Sequence, residues 1–223
     1  MKSKKIAIYT SVNPVGKSIV EEALRRGHIV TVIINDNHEF NLSNPNLTIR
    51  KGDVNKNEDL NRNIKDMDMV IYDQELKPDR PGECFKSIRS LMEGCKGSGI
   101  NRLIISGHIH LFTSTLTMEE REIWKPVQEE QLDALGLLDN ELDIDWSYFY
   151  TIETDLAKKS SRYITGTGNN FIVIIPNKGD RMTRKEYAQT VIDEAEKRIV
   201  NPDKKTTALV DYTGYLLKNN FGR

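Results

Sequence analysis

Residues 28–34, with the sequence HIVTVII, form an almost continuous apolar run that is rich in β-branched side chains. Such a run is typical of a strand whose two faces are both covered, as in a parallel sheet flanked by helices. Before it, residues 14–26 carry apolar side chains at helical spacing and end at Gly27, and residues 6–9 form a shorter β-type run. The start of the chain therefore predicts a βαβ unit.

The same alternation of apolar strands and amphipathic helices continues along the chain. Further strands are predicted at 47–51, 69–72, 102–106, 145–151 and 171–175, with a last one inside 206–215. Further helices are predicted at 57–64, at 81–96 and from the capping box at 183–186 to about 199. The helical sequence around Pro126 is predicted to form either two helical pieces or one helix with a kink. The segment GTGNN at 166–170 is interpreted as a turn. This order predicts an α/β fold with a doubly wound, mostly parallel sheet and helices on both faces.

Composition limits the size of the fold and the kind of partner. The chain has 223 residues, of which 38% are hydrophobic, so we expect a single domain over 1–223 with a small substrate-side lobe mainly within 107–183. The 32 basic and 33 acidic residues leave a net charge of −1, which argues against nucleic acid or an anionic membrane and favours a small-molecule ligand. No apolar run approaches the roughly 20 residues of a membrane span. We expect a cytoplasmic protein and leave a homo-oligomer open.

Cys84 and Cys95 lie on one predicted helix, where a rise of about 1.5 Å per residue separates them by about 16 Å. A disulfide between them is excluded at that distance. Two interpretations stay open, a pair of redox-active thiols and a pair of semi-buried apolar side chains in a reducing compartment. We expect the second.

The order of motifs resembles the atypical short-chain dehydrogenases/reductases, in the branch of NmrA-like and proposed NADH-flavin reductase proteins. The resemblance is carried by KIAIY, GKSIVEEALRRGHIVTVII, GDVNKNEDLNRNIKDMDMVI, GINRLIISG, DWSYF and TRKEYAQTVIDEAEK, which follow the family's order over nearly the whole chain. It implies a Rossmann-type domain that binds NAD(P)H at the carboxyl ends of the strands. Some members are oxidoreductases and others are sensors or regulators.

The loop before the first helix departs from the family's pattern. Where the family has G-x-x-G-x-x-G, this chain has Thr10, Asn13 and Gly16, and the resemblance makes these residues and Val15 the candidate contacts of the cofactor's phosphates. Pro14 offers no N–H, and Asn13 followed by Pro14 is a strong helix start in itself. Two hypotheses remain open: a self-capped helix with little dinucleotide affinity, and an altered loop that still binds.

Four further residues are candidate cofactor contacts by resemblance. Asn35 and Asp36 follow the second strand, where NADP-dependent relatives usually carry an arginine and NAD-dependent relatives an acidic residue. The implied cofactor is NAD or NADP, with the non-phosphorylated form favoured by charge. The alternative is that these are ordinary turn residues. Asp53 and Val54, in the GDV segment, match positions that flank the adenine in the family.

Ser106 and His108 are the candidate catalytic residues, because they lie where the fifth strand is predicted to end. Ser106 would bind a substrate carbonyl and His108 would donate a proton near neutral pH; alternatively, both are ordinary polar residues at a strand exit. The spacing of His108 and His110 places both rings on one face of a strand, but no cluster of further ligands accompanies them, so no metal site is predicted.

The nicotinamide end also departs from the family. The fourth strand ends in Tyr72 and Asp73, which bring bulk and charge to an edge where relatives often have small residues. The Tyr-x-x-x-Lys pair of typical short-chain dehydrogenases is absent from the sequence. Three hypotheses of function follow: an NAD(P)H-dependent oxidoreductase acting on a small molecule, a non-catalytic binding or regulatory protein, and a scaffold that works through a protein interface.

Overall fold

A computed structural model describes residues 2–35, 39–75, 79–80, 82–109, 118–141, 143–152, 164–168, 171–175, 183–196 and 206–209. The strands are β1 Lys5–Thr10, β2 Ile29–Ile34, β3 Leu47–Lys51, β4 Met69–Glu75, β5 Arg102–Ile109, β6 Asp145–Ile152, β7 Ile164–Gly168, β8 Phe171–Ile175 and β9 Thr206–Leu209. The helices are α1 Pro14–Arg25, α2 Asn57–Ile64, α3 Glu83–Gly97, α4 Met118–Asp139 and α5 Arg184–Glu196. No helix within the described ranges is long and apolar enough to cross a membrane.

These strands form one sheet in the order β3-β2-β1-β4-β5-β6-β9-β8-β7. The strand β7 runs antiparallel to β8, and the other neighbouring pairs are parallel. Strands β1 to β6 thus have the order of a Rossmann-type sheet, which confirms the predicted fold class. The strand order reverses between β1 and β4, and open sheets of this kind bind ligands at the carboxyl ends of the strands beside such a reversal.

Alternate residues of the central strand β1 face two different helix layers. In β1, Ile6 and Ile8 pack with α1 and α5, whereas Ala7 and Tyr9 pack with α2, α3 and α4. All four side chains are almost fully buried. The first strand is therefore covered on both faces, as its apolar sequence predicts, and the alternation decides which polar residues meet at its end.

An ionic network joins α1 to α5. Arg26, directly after α1, lies 2.7 Å from Glu22, 2.6 Å from Asp193 and 2.7 Å from Glu196. The Glu22 and Glu196 side chains are nearly buried, so solvent and salt screen these pairs less than they screen surface pairs. The network holds α5 against α1 and so helps to place Tyr187, which lies on α5.

One prediction about local structure is narrowed and another is wrong. Helix α4 is one helix with Pro126 inside it, which excludes two separate pieces, and the alternative of a kink at Pro126 stays a prediction. Proline removes one backbone hydrogen bond, but burial of Val127 and Leu138 stabilises the turns that follow. The interpretation of GTGNN as a turn fails for residues 166–168, which belong to β7 and pair with β8; residues 169–170 lie outside the described residues. Pairing with a neighbouring strand overrides the weak β-propensity of glycine.

The predicted substrate-side lobe, 107–183, contributes α4 and strands β6, β7 and β8 to the same layers. Its segments 110–117, 153–163 and 176–182 lie outside the described residues. The last predicted strand is present at Thr206–Leu209, and the rest of 206–215 also lies outside them.

The packing of α2 on α3 is tested by replacing Gly94 with alanine. A Cβ at Gly94 would lie 2.6 Å from Leu60 Cδ2 and 2.9 Å from Leu60 Cγ, and Leu60 is buried. Overpacking should lower the free energy of unfolding by about 1–2 kcal/mol in urea denaturation, despite the helix propensity gained. Gly136→Ala is the control, because nothing lies within 4 Å of a Cβ there. It should raise the free energy of unfolding by up to about 1 kcal/mol. Equal effects would contradict the packing.

The environment of the two cysteines predicts slow thiol chemistry. Burial raises the pKa of Cys84 to about 12, with a smaller contribution from the Glu130 carboxylate, and burial raises the pKa of Cys95 to about 12. Because only the thiolate is a good nucleophile, both thiols should react with a disulfide reagent at pH 8 only as fast as the protein unfolds. Both should react at once in denaturant. Rapid reaction of either thiol in the native protein would instead support a redox pair.

Candidate functional site

The turn between β1 and α1 is held in a specific, partly strained conformation. Val12 has φ = +62°, in the left-handed region that a β-branched residue rarely adopts. Such a conformation costs of the order of 1–3 kcal/mol and persists only where the surroundings enforce it. Here the Val12 N–H donates to Thr10 Oγ1 at 3.2 Å. The turn then leads to Asn13 in extended backbone and Pro14 in the first turn of α1.

Asn13 satisfies the start of α1 by itself. Its side-chain Oδ1 accepts hydrogen bonds of 2.8 Å from the N–H groups of both Val15 and Gly16. Its backbone carbonyl accepts from the Lys17 N–H at 3.1 Å, and Pro14 has no N–H. Each backbone donor in the first turn of α1 is therefore already used within the protein.

A buried carboxylate, that of Asp73 near the carboxyl end of β4, lies behind this cap. It is 1% exposed, and its Oδ2 accepts from Asn13 Nδ2 at 2.9 Å and from Thr10 Oγ1 at 3.0 Å. Its Oδ1 accepts from Ser106 Oγ at 3.0 Å. These residues meet because Thr10, Asp73 and Ser106 are directly opposite one another on β1, β4 and β5. We call Thr10, Asn13, Asp73 and Ser106 the Asp73 network.

The network continues into α5. The Ser106 hydroxyl lies 2.9 Å from the Tyr187 hydroxyl, and both side chains are fully or almost fully buried. Burial raises the pKa of Tyr187, while its hydrogen bond with Ser106 acts in the opposite direction. Tyr187 therefore stays protonated at neutral pH. The network thus connects three strands with both helices of one layer.

Gly16 is required by the same network. A Cβ at this position would overlap Thr10 Oγ1 and Asp73 Oδ2. The glycine that the family uses for close contact between helix and strand thus leaves room here for a threonine hydroxyl and a carboxylate.

A cleft of about 480 Å³ opens on the other side of this edge, toward α2, α3 and α4. Its lining includes Asn35 after β2 together with Asp53 and Val54 after β3. The loop after β3 is internally bonded: Asp53 Oδ1 accepts from the Asn55 N–H at 2.9 Å, and the Asp53 N–H donates to Asp59 Oδ2 at 3.2 Å. The size of the cleft is that of a small-molecule site.

The predicted site residues fall into separate groups. Thr10, Asn35, Asp53 and Val54 line the cleft, whereas Asn13, Val15 and Gly16 form the start of α1. Ser106 is 0% exposed, belongs to the Asp73 network and does not line the cleft. His108 lies on β5, where its backbone is opposite Glu75 and Thr151. Asp36, His110 and the side chain of His108 lie outside the described residues.

Asp73 is the residue whose role the sequence does not reveal. It was noted as a charge at the end of the fourth strand, but its bonds to Asn13 and Thr10 join residues sixty or more positions apart. The available signal is that Thr10, Asp73 and Ser106 are polar residues near the carboxyl ends of three strands that are adjacent in a Rossmann-type sheet. Among the described residues, no group of three or more His, Cys, Asp or Glu side chains is arranged to hold a metal ion.

The pyrophosphate of a dinucleotide does not fit this arrangement. Its usual donors are the N–H groups in the first turn of the helix, and here Asn13 occupies them. A phosphate at the start of α1 would also lie beside the Asp73 carboxylate, and two negative charges in so buried a place repel. Direct cofactor contacts by Thr10, Asn13, Val15 and Gly16 stay predictions.

Comparison with known proteins gives one family and a consistent fold. The sequence matches the NAD(P)H-binding family over residues 14–198. A proposed epimerase from Bacteroides thetaiotaomicron has 23% identity and a TM-score of 0.70, over 95% of this chain and 100% of that one. A proposed NADH-flavin reductase from Streptococcus pneumoniae has 24% identity and a TM-score of 0.67, over 92% and 98%. At these identities the likeness shows the fold alone. No match was found among curated proteins.

The Asn13–Asp73 contact is tested by Asn13→Asp. Aspartate caps a helix as well as asparagine does, so the cap is kept, but a carboxylate replaces the amide that donates to Asp73. We expect the free energy of unfolding at pH 7 to fall by about 2 kcal/mol or more, measured by urea denaturation. Adding Asp73→Asn should recover part of this loss, because a donor again faces an acceptor.

The control is Asn57→Asp, at the exposed first residue of α2, which should be neutral or slightly stabilising. An Asn13→Asp protein as stable as the wild type would show that the two side chains do not meet.

Proposed function

This chain belongs to the NAD(P)H-binding family, and on that premise we propose that it is a small-molecule-binding protein whose affinity for NAD(P)H is weakened. The observation that carries the proposal is the double hydrogen bond from Val15 and Gly16 to Asn13 Oδ1. A ligand phosphate would have to displace this cap before it could bind the helix. The small molecule would occupy the cleft beside β1, β2 and β4.

The energies of the displaced bonds set the size of the effect. Loss of an N-cap side chain costs about 0.5–2 kcal/mol, and a buried polar group left without its partner costs about 1–3 kcal/mol. Together they would weaken dinucleotide binding by about tenfold to several thousandfold relative to a glycine-rich loop. The retained helix dipole leaves a residual attraction for phosphate, so weak binding is expected rather than none.

A second candidate function is an NADH-dependent oxidoreductase that acts on a small molecule. It is favoured by the end of β2, where Asn35 lines the cleft. Arg50, on the neighbouring strand β3, donates to the Arg62 carbonyl at 3.4 Å instead of facing a 2′-phosphate. For this function His108 is the proposed proton donor. We propose a structural role for Ser106, because its hydroxyl bonds Asp73 and Tyr187.

Calorimetric titration with NADH tests the proposal. The wild type should show no saturable binding of NADH below about 1 mM. A dissociation constant of that size corresponds to a binding free energy of about −4 kcal/mol. Asn13→Gly, alone and with Asp73→Asn, should bind NADH at least about tenfold more tightly, because glycine frees the two N–H groups at a cost of a few tenths of a kcal/mol in capping. These variants should also prefer NADH to NADPH.

Asn13→Asp is the matched control, since it keeps the cap and should gain no affinity. Micromolar NADH binding by the wild type, or a folded Asn13→Gly/Asp73→Asn protein without any gain, would refute the proposed weakening.

A further inference from the structure

The hydrogen bonds behind Asn13 extend to helix α5, far along the chain from the start of α1. We propose that Tyr187 is a positioning residue for this site: acting through Ser106 and Asp73, its hydroxyl holds the Asn13 side-chain amide in the orientation that caps α1. The inference rests on the proposed function, because it names a residue outside the loop that controls whether the first N–H groups of α1 are open to a phosphate.

The protons of the Asp73 network all point toward the carboxylate. A carboxylate can only accept hydrogen bonds, so the Ser106 hydroxyl donates its single proton to Asp73 Oδ1, at 3.0 Å. In its 2.9 Å contact with Tyr187, the Ser106 oxygen is therefore the acceptor and the tyrosine hydroxyl is the donor. Thr10 repeats the pattern, since its oxygen accepts from the Val12 N–H at 3.2 Å and its proton points to Asp73 Oδ2. Tyr187 is thus the first donor of a chain that ends on the carboxylate.

The position of Asp73 decides which end of the Asn13 amide faces α1. In the observed orientation, Nδ2 donates to Asp73 Oδ2 at 2.9 Å, and Oδ1 accepts from the N–H groups of Val15 and Gly16 at 2.8 Å each. A half-turn of the amide would set Oδ1 against the carboxylate and Nδ2 against two N–H donors, so these three bonds would be lost. Asp73 therefore selects the capping orientation, and a group that fixes Asp73 fixes the cap.

Helix α5 holds the Tyr187 hydroxyl in place, because the helix is fixed on β5 at two points. Ser106 is one of them, and Arg102, on the same face of β5, is the other: its Nη2 donates to the Glu194 carbonyl at 2.9 Å. The ring of Tyr187 also meets Phe149 edge to face, with the ring centroids 6.3 Å apart. All of these residues are 5% exposed or less. The hydroxyl is therefore carried by rigid, packed elements, as a positioning group requires.

Loss of the Tyr187 hydroxyl should reach Asn13, because successive hydrogen bonds in a buried chain polarise one another. Phenylalanine keeps the ring but leaves the buried Ser106 oxygen without the donor that it has in the wild type. The bond from Ser106 to Asp73 then becomes weaker, and Asp73 holds the Asn13 amide less firmly. The start of α1 should open more often while the rest of the helix stays folded.

Hydrogen exchange of the Tyr187→Phe protein, followed amide by amide by NMR, tests this coupling. Ile8 and Val32, fully buried in β1 and β2, report on opening of the core. Relative to these two amides, Val15 and Gly16 should exchange at least about fivefold faster than in the wild type. A tyrosine with a merely structural role would change the exchange of Val15 and Gly16 no more than that of the core.

Two further variants make the test specific. Tyr148→Phe is the matched control, because it removes the hydroxyl of another fully buried tyrosine, one that packs in the opposite helix layer. It should give no excess exchange at Val15 and Gly16. Ser106→Ala should give an excess at least as large as that of Tyr187→Phe. Adding Tyr187→Phe to it should give no more, because Tyr187 acts through Ser106.

An NADH titration separates this inference from the proposed function. Followed by NMR up to about 10 mM, Tyr187→Phe should bind NADH about twofold to fivefold more tightly than the wild type, because the cap is displaced more easily. In the Asn13→Gly protein, which has no amide to position, the same substitution should change the affinity by less than about twofold. Failure of Asn13→Gly itself to gain affinity refutes the proposed function, whereas the exchange of Val15 and Gly16 decides the role of Tyr187.

Exchange of Val15 and Gly16 that follows the core amides in Tyr187→Phe would overturn the inference. An equal excess in Tyr148→Phe would also overturn it. So would a gain in NADH affinity from Tyr187→Phe that persists undiminished in Asn13→Gly, because Tyr187 would then act on the site by a route that does not include the Asn13 amide.

Discussion

The carboxylate of Asp73 is the group on which the candidate site depends. It is buried near the carboxyl end of β4, and an unpaired charge there would be strongly destabilising, so the surroundings have to supply donors. Thr10, Asn13 and Ser106 supply them, at 2.9–3.0 Å. Once Asn13 donates to Asp73, its other side-chain atom faces the first turn of α1. One interaction therefore fixes the conformation of the turn, the start of the helix and the need for Gly16.

The functional consequence follows from the same geometry. The dipole of α1 and its first N–H groups attract an anion in any Rossmann-type sheet. In this chain the side-chain amide of Asn13, which is hydrogen-bonded to the Asp73 carboxylate, occupies the start of α1. At the start of α3 the Glu130 carboxylate accepts from the Phe85 N–H. The protein has the fold of a dinucleotide-binding family. Its own side-chain oxygens accept from the backbone N–H groups that a ligand's phosphates would otherwise bind.

Much of the fold could be predicted from the sequence, because continuous apolar strands and amphipathic helices depend on local patterns. The N-cap of α1 could also be predicted, because Asn13 followed by Pro14 is a local signal for a helix start. Asp73 was not, because its partners meet only when β1, β4 and β5 lie side by side in register. The cap of α3, in which Glu130 accepts from the Phe85 N–H, could not be predicted for the same reason, because the two residues are 45 positions apart. Of the two alternatives predicted at Pro126, two separate helices are excluded, because tertiary packing stabilises one helix around the proline.

The most direct test follows the backbone amides of Val15 and Gly16 by NMR. With Asn13 as their acceptor, both should be protected from hydrogen exchange without ligand. Their resonances should stay in place when NADH or inorganic pyrophosphate is added up to about 1 mM. Rapid exchange of these amides in the free protein, together with large, saturable shifts at micromolar NADH, would contradict the account.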